Sequence, residues 1–81
     1  MLSLDLHPIF RNNRDIDLAM RQFLMSAAAS GESVAAIIPG KGSGQLHTRV
    51  LRFLDQKHIR KLYARRETDP ANPGRVLVYF A

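Results

Sequence analysis

Two β-type apolar runs, each closed by a proline, bracket a stretch of helical periodicity, and that order constrains the fold more than any other feature. The first run is "LSLDLHP", in which Leu2, Leu4 and Leu6 alternate with Ser3, Asp5 and His7. Such alternation predicts a half-buried strand, ended where Pro8 lacks a backbone donor. The second, "SVAAIIPG", is apolar from Val34 to Ile38 and closes at Pro39. Its lack of alternation suits an inner strand, Ser33 to Ile38, covered on both faces or paired along both edges. Between them, Ile16, Met20, Phe23, Leu24 and Ala27 recur at three- and four-residue steps and mark the buried stripe of a helix. Asn12 or Asn13 can cap its start, Asp15 and Asp17 suit the positive end of its dipole, and Gly31 supplies the stop. A strand, helix and strand in succession form a right-handed parallel unit, so both strands end at the same sheet edge. Asp5 and His7 are therefore expected beside the glycines of "IIPGKGSGQ", at the edge where open α/β sheets bind ligands.

The second half continues the pattern. "QLHTRVLRFLDQKH" places Leu46, Val50, Phe53 and Leu54 on one helical face and Gln45, Arg49, Arg52 and Gln56 on the other. "IRKLYARRE", Ile59 to Glu67, reads as a cation-rich strand, "TDPANPG" as a turn, and Arg75 to Phe80 as a strand of branched and aromatic residues. The expected fold class is thus α/β, a two-layer β-α-β-α-β-β sandwich with a mixed four-stranded sheet and two helices. Eighty-one residues suit one domain, 1–81. The chain has no cysteine, which removes disulfides, thiolate metal sites and cysteine nucleophiles together. It has no apolar run of about 18 residues, and its start lacks the basic segment and long apolar core of a secretory signal. A cytoplasmic setting is expected.

Charge narrows the partners. Of the twelve basic side chains, three lie in residues 1–40 against four acidic ones, and nine lie in residues 41–81 against three. A basic half of this kind suits a polyanion, with nucleic acid the commonest. Arg49, Arg52, Arg60, Lys61, Arg65 and Arg66 form the candidate backbone-contacting stripe, which would be blind to sequence. The glycine turn itself fits neither standard nucleotide motif. A Walker-type loop needs Gly at position 35 and Ser or Thr at 42, where this chain has Ala35 and Gly42. A dinucleotide fingerprint needs Gly at position 45, which is Gln45. What remains is a strand, a glycine-rich turn and a helix, a pattern that can aim backbone N–H groups at an anion.

The segments "LDLH" at 4–7, "LAMRQFL" in the first helix, "IIPGKG" at 37–42 and the closing "GRVLVYF" together resemble the Smr (small MutS-related) domain over nearly the whole chain. The resemblance implies a fold similar to the C-terminal domain of translation initiation factor 3. It also implies nicking of DNA or cleavage of RNA, alone or as the tail of a larger DNA-repair or RNA-processing protein. By match, the implicated residues are Asp5, His7, Gly40, Lys41 and Gly42. The chain departs from the family's usual pattern at Pro8, where Gly is common, and at Pro39, where Thr or His is common. Its last turn is also reduced to Pro73-Gly74.

Phosphodiester cleavage needs an activated oxygen nucleophile, a proton for the leaving oxygen and positive charge around phosphorus. On this reading His7 is the general base or acid and Asp5 orients it, activates water or holds a cation. Gly40, Lys41, Gly42, Ser43 and Gly44 hold the phosphate. No metal site is evident, because no second carboxylate lies close to Asp5 in the sequence, and Mg2+ is the one cofactor the chemistry leaves room for. His47 and His58 are expected in surface or capping roles. A non-catalytic DNA- or RNA-binding module using the basic surface is the alternative, motivated by Pro8 and Pro39.

Overall fold

The computed structural model describes residues 1–9, 13–40, 42 and 44–80. Strand β1 (Leu2–Asp5) leads through a 3-10 turn (His7–Ile9) to helix α1 (Asn13–Ala29) and strand β2 (Val34–Ile38). Helices α2 (Gln45–Leu54) and α3 (Lys57–Arg60) follow, then strands β3 (Arg65–Thr68) and β4 (Val76–Tyr79). The sheet is mixed, in the order β1-β2-β4-β3. β1 and β2 are parallel, paired from Leu2 with Ala35 to Asp5 with Ile38, and the Leu6 N–H extends the ladder to the Ile38 carbonyl at 3.1 Å. β4 is antiparallel to both of its neighbours.

Register assigns the faces. Leu4, Ile37 and Val76 share one row, and Ala35 and Val78 the next. Ile37, Val76 and Val78 are wholly buried in one cluster with Leu6, with Ile16, Met20 and Leu24 of α1, with Val50, Phe53 and Leu54 of α2, and with Ile59 of α3. The helices thus cover one face, which gives the two layers expected from the sequence. The other face carries Ser3, Ala36, Leu77 and Glu67 in one row, with Tyr79 paired to Arg65 alongside. There the Arg65 guanidinium lies 3.8 Å from the centre of the Tyr79 ring, and the Tyr79 hydroxyl donates to Glu67 at 2.8 Å. β2 is paired along both edges, and Ala36 on its face away from the helices is fully buried as well.

Three boundaries differ from the sequence reading. β1 stops at Asp5, and His7 lies in the 3-10 turn instead of the strand. The second helix stops at Leu54, because Gln56 adopts an extended backbone (φ −63°, ψ 139°) and starts a separate helix. The expected strand from Ile59 shrinks to Arg65–Thr68, since Ile59 enters the core as a helical residue. The sheet is therefore accompanied by three α-helices among the described residues, not two. Arg60 ends α3 and Lys61 follows it, so neither lies on a strand. Tyr63 does not either: its hydroxyl donates to the Leu54 carbonyl at 2.5 Å, satisfying an acceptor that the end of α2 leaves open. Asn12 lies outside the described residues, and Asn13 is the first residue of α1.

These contacts fix two expectations. Leu24→Ala should lower the unfolding free energy by about 3 kcal/mol, the usual cost of emptying a fully buried leucine site. Tyr63→Phe, which deletes only the α2-closing hydrogen bond, should cost about 1 kcal/mol. Urea unfolding monitored by circular dichroism measures both.

Candidate active site

The site begins with the parallel register. Asp5 is level with Ile38, and the same offset carried two residues further sets His7 level with Gly40. The chain turns sharply after β1 because the Asp5 carboxylate accepts the His7 backbone N–H at 3.0 Å, a local bond that Asp forms readily and that stops strand continuation. Pro8 has no N–H to offer a ladder and is tolerated in the first turn of a helix.

The same Asp5 oxygen, Oδ1, lies 2.5 Å from Nδ1 of His7. The pair is open to solvent, with 61% of the His7 side chain and 56% of the Asp5 side chain exposed, so a ligand can reach it. The backbone N–H of His7, and then its ring, hold the Asp5 carboxyl below the ordinary carboxylate range. An ionised Asp5 accepts, so Nδ1 carries the proton and Nε2 is left with its lone pair. Nε2 sits directly over Gly40. A Cβ placed on Gly40 would come within 2.6 Å of it, and Gly40 has φ +88°, a conformation that favours glycine. Gly40 is glycine for both reasons.

Gly40 is held in turn from the other side. Its N–H donates to the Gly74 carbonyl at 3.1 Å, tying the start of the glycine turn to the loop between β3 and β4. That loop is braced by Asp69, which is only 5% exposed. Asp69 accepts from Nε and Nη2 of Arg75 and from the Ala71 N–H, and Asn72 accepts the Gly74 N–H. The backbone bond from Ala71, followed by Arg75, keeps the Asp69 carboxyl below its usual range. Sequence reading missed Asp69 and Arg75, although "DPANPGR" carries the signal: Asp and Asn each precede a proline, the pattern of side chains that fold back on their own backbone.

A groove of about 1080 Å3 opens beside this arrangement. It is lined by His7, Pro39, Gly40, Gly42 and Gly44, by Asp17 of α1, and by α2 residues including His47, Arg49 and Arg52. Gly44 precedes α2 with φ +86° and no side-chain cap, so the helix begins straight off the turn. Lys41 and Ser43 lie outside the described residues. His47, expected as a surface or capping residue, instead faces the groove, with its Nε2 3.0 Å from the Thr68 hydroxyl. Its position in the first turn of α2, three residues after Gly44, is the sequence signal that could have found it.

The expected basic stripe is not one surface. Arg49 and Arg52 line the groove, and Arg49 bonds Asp17 at 3.2 Å. Arg66 makes a bidentate pair with Asp55 on the helix side of β3, while Arg65 stacks on Tyr79 across the sheet. Arg60 and Lys61 stand exposed around the end of α3. Strand alternation separates Arg65 from Arg66, and the early helix removes Arg60 and Lys61 from their company. Among the described residues, no three His, Asp or Glu side chains gather into a cluster that could hold a metal ion, and no helix is long and apolar enough to cross a membrane.

A family model for the Smr domain matches residues 4–81. The crystal structure of the Smr domain of Thermus thermophilus MutS2 superposes with a TM-score of 0.80 at 22% identity, covering 100% of this chain and 99% of that one. Among curated proteins none matches the chain.

Two predictions follow from the geometry. Gly40→Ala should cost about 1 kcal/mol for its left-handed backbone and should displace the His7 ring, seen as a change in its NMR shifts. Asp69 stabilises the fold fully above the ordinary carboxylate range near pH ~3.9 and loses that effect as pH falls through its lower folded value. The gap in Tm between wild type and Asp69→Asn should therefore be widest at neutral pH and narrow in acid.

Proposed function

The chain belongs to the Smr domain family, and from that premise we propose that residues 1–81 act as one nucleic-acid endonuclease domain that cuts phosphodiester bonds with little sequence preference of its own. The observation that carries this reading is the Asp5–His7 pair, solvent-open and aimed over Gly40 at the mouth of a groove with two arginines. In this reading Nε2 of His7 removes the proton from the attacking oxygen, and Asp5 holds the ring in the tautomer that permits it. The residues assigned to hold the scissile phosphate are Gly40, Lys41, Gly42, Ser43 and Gly44, whose sequence leads into the start of α2, where negative charge is favoured. Arg49 and Arg52 hold the polymer along α2, and Arg60, Lys61, Arg65 and Arg66 add long-range attraction rather than a common contact face.

A resident divalent ion fits the described residues poorly. Asp5 offers one carboxylate, and its Oδ1 already accepts two bonds from His7. A cytoplasmic setting and a place within a larger repair or RNA-processing protein are compatible with the reading and form part of the proposal.

Supercoiled DNA and a structured RNA should be incubated with wild type, Asp5→Asn and His7→Ala at several salt concentrations. The expected result is cleavage by wild type and a loss of at least about a hundredfold in both variants, with binding retained. Binding without cleavage by wild type on either substrate would leave the chain as a nucleic-acid-binding module. Equal cleavage by all three proteins would remove the pair from the chemistry.

A further inference from the structure

Two contacts place the His7 ring. Asp5 takes Nδ1, and Gly40 lies against Nε2. The bond to Asp5 joins residues two apart at the end of an edge strand, so it orients the ring without setting its distance from the glycine turn. Gly40 belongs to the other strand's end and does set that distance. At φ +88°, with no side chain to pack, Gly40 relies on hydrogen bonds to keep its conformation.

The Gly40 N–H goes to the Gly74 carbonyl at 3.1 Å, and that carbonyl belongs to a peptide unit fixed on every side. The Arg75 N–H, on the same peptide, donates to the Asn72 carbonyl at 3.0 Å. The Gly74 N–H donates to the Asn72 side chain at 3.1 Å. The Arg75 carbonyl accepts the Asp69 N–H at 2.8 Å, and the Arg75 guanidinium closes the ring onto Asp69 Oδ2, with Nε at 2.8 Å. Neither Asp69 nor Arg75 lines the groove. Asp69 is nevertheless buried, and replacing a buried ion pair with apolar side chains is often neutral for stability. The use of this pair is therefore to be sought in the geometry it imposes.

We propose that Asp69 and Arg75 are positioning residues for the candidate active site: through the Gly74–Arg75 peptide they hold Gly40 where the His7 ring lies against it. The proposal rests on the endonuclease reading above for its effect on rate, while its structural half is measured independently. When the pair is broken, the Gly74 carbonyl turns away from the Gly40 N–H, and the glycine turn shifts from beside Nε2. Asp5 and His7 keep their own bond, but the ring loses its alignment with the groove. A misplacement of about 1 Å caused far from the chemistry costs up to about a hundredfold in rate. Binding is spared, because neither residue faces the groove.

The test compares wild type with Asp69→Asn, Arg75→Gln and Arg75→Lys. Tyr63→Phe serves as a control that weakens the fold at the end of α2, away from His7. NMR reads the His7 ring, and steady-state cleavage of a structured RNA and of supercoiled DNA reads rate. Asp69→Asn and Arg75→Gln, both retaining wild-type circular dichroism, should shift the His7 ring resonances and weaken their Overhauser contact with Gly40. They should lower kcat about tenfold or more and leave KM within about twofold of wild type. Arg75→Lys keeps a cation against Asp69 and should lie closer to wild type on both measures. Tyr63→Phe should change neither; a merely stabilising role for the pair would make it behave like Asp69→Asn. Should one of the two disruptive variants fail to fold, the other and Arg75→Lys carry the comparison. An unmoved His7 ring, or an unchanged kcat, in Asp69→Asn and Arg75→Gln overturns the proposal and leaves the endonuclease reading standing. If wild type cleaves no nucleic acid, that reading fails and the NMR comparison alone decides: a shifted ring supports the positioning role, and an unmoved one ends it.

Discussion

The site depends on the register between β1 and β2. A parallel pair has no turn of its own to set its alignment, so the offset must come from the crossover helix and from which residues bury. Here Leu6, Ile37, Ile16, Met20 and Leu24 meet in one core, and a slip of one residue would send Leu6 to the open face. Each hydrogen bond of that ladder is worth only about 1 kcal/mol, yet the buried side chains leave the register little freedom. With the register set and the chain turned at Asp5, the His7 ring comes to lie against Gly40. The candidate chemistry is thus a by-product of ordinary core packing, extended two residues beyond the paired strands.

A second constraint acts from the opposite edge. Gly40 is gripped by the His7 ring on one side and by the Gly74 carbonyl on the other. Gly74 is part of a loop closed by Asp69, Asn72 and Arg75, and Asp69 is the one charged side chain among the described residues that is buried. A buried carboxylate is costly unless fully satisfied, and here two arginine nitrogens and backbone donors satisfy it. The loop carries no residue of the groove, yet its shape decides where the glycine turn begins. The surface ion pairs differ in kind. Arg49 with Asp17 and Arg66 with Asp55 bridge elements across exposed surface, where each pair contributes about 1 kcal/mol or less.

Much of this was legible in the sequence. Alternation in "LSLDLH", the apolar stripe of α1 and the run "VAAII" gave the parallel unit and its shared edge, where the Asp5–His7 pair lies beside Gly40. The resemblance carried by "LDLH" and "IIPGKG" agrees with the family match. What escaped was set by contacts distant in sequence or by competition between local signals. The segment from Ile59 has strand-like composition, but Ile59 gains more by entering the core as part of a helix. His7 continued the alternation on paper, while the Asp5 carboxylate captured its backbone N–H. The cations of β3 look like one patch in a string of letters, and strand pleating turns Arg65 and Arg66 to opposite faces. His47 has a local signal in its place three residues after Gly44, but its bond to Thr68 spans 21 residues and shows only in the fold.

The central claim is geometric: the β1–β2 alignment lays the His7 ring on Gly40 with Nδ1 turned to Asp5. Heteronuclear NMR of the wild-type protein tests it in one experiment. The account predicts Overhauser contacts between the His7 ring protons and the Gly40 α-protons, with the neutral imidazole protonated on Nδ1 and bare on Nε2. A His7 ring with no contact to Gly40, or one protonated on Nε2 with Nδ1 bare, would contradict it.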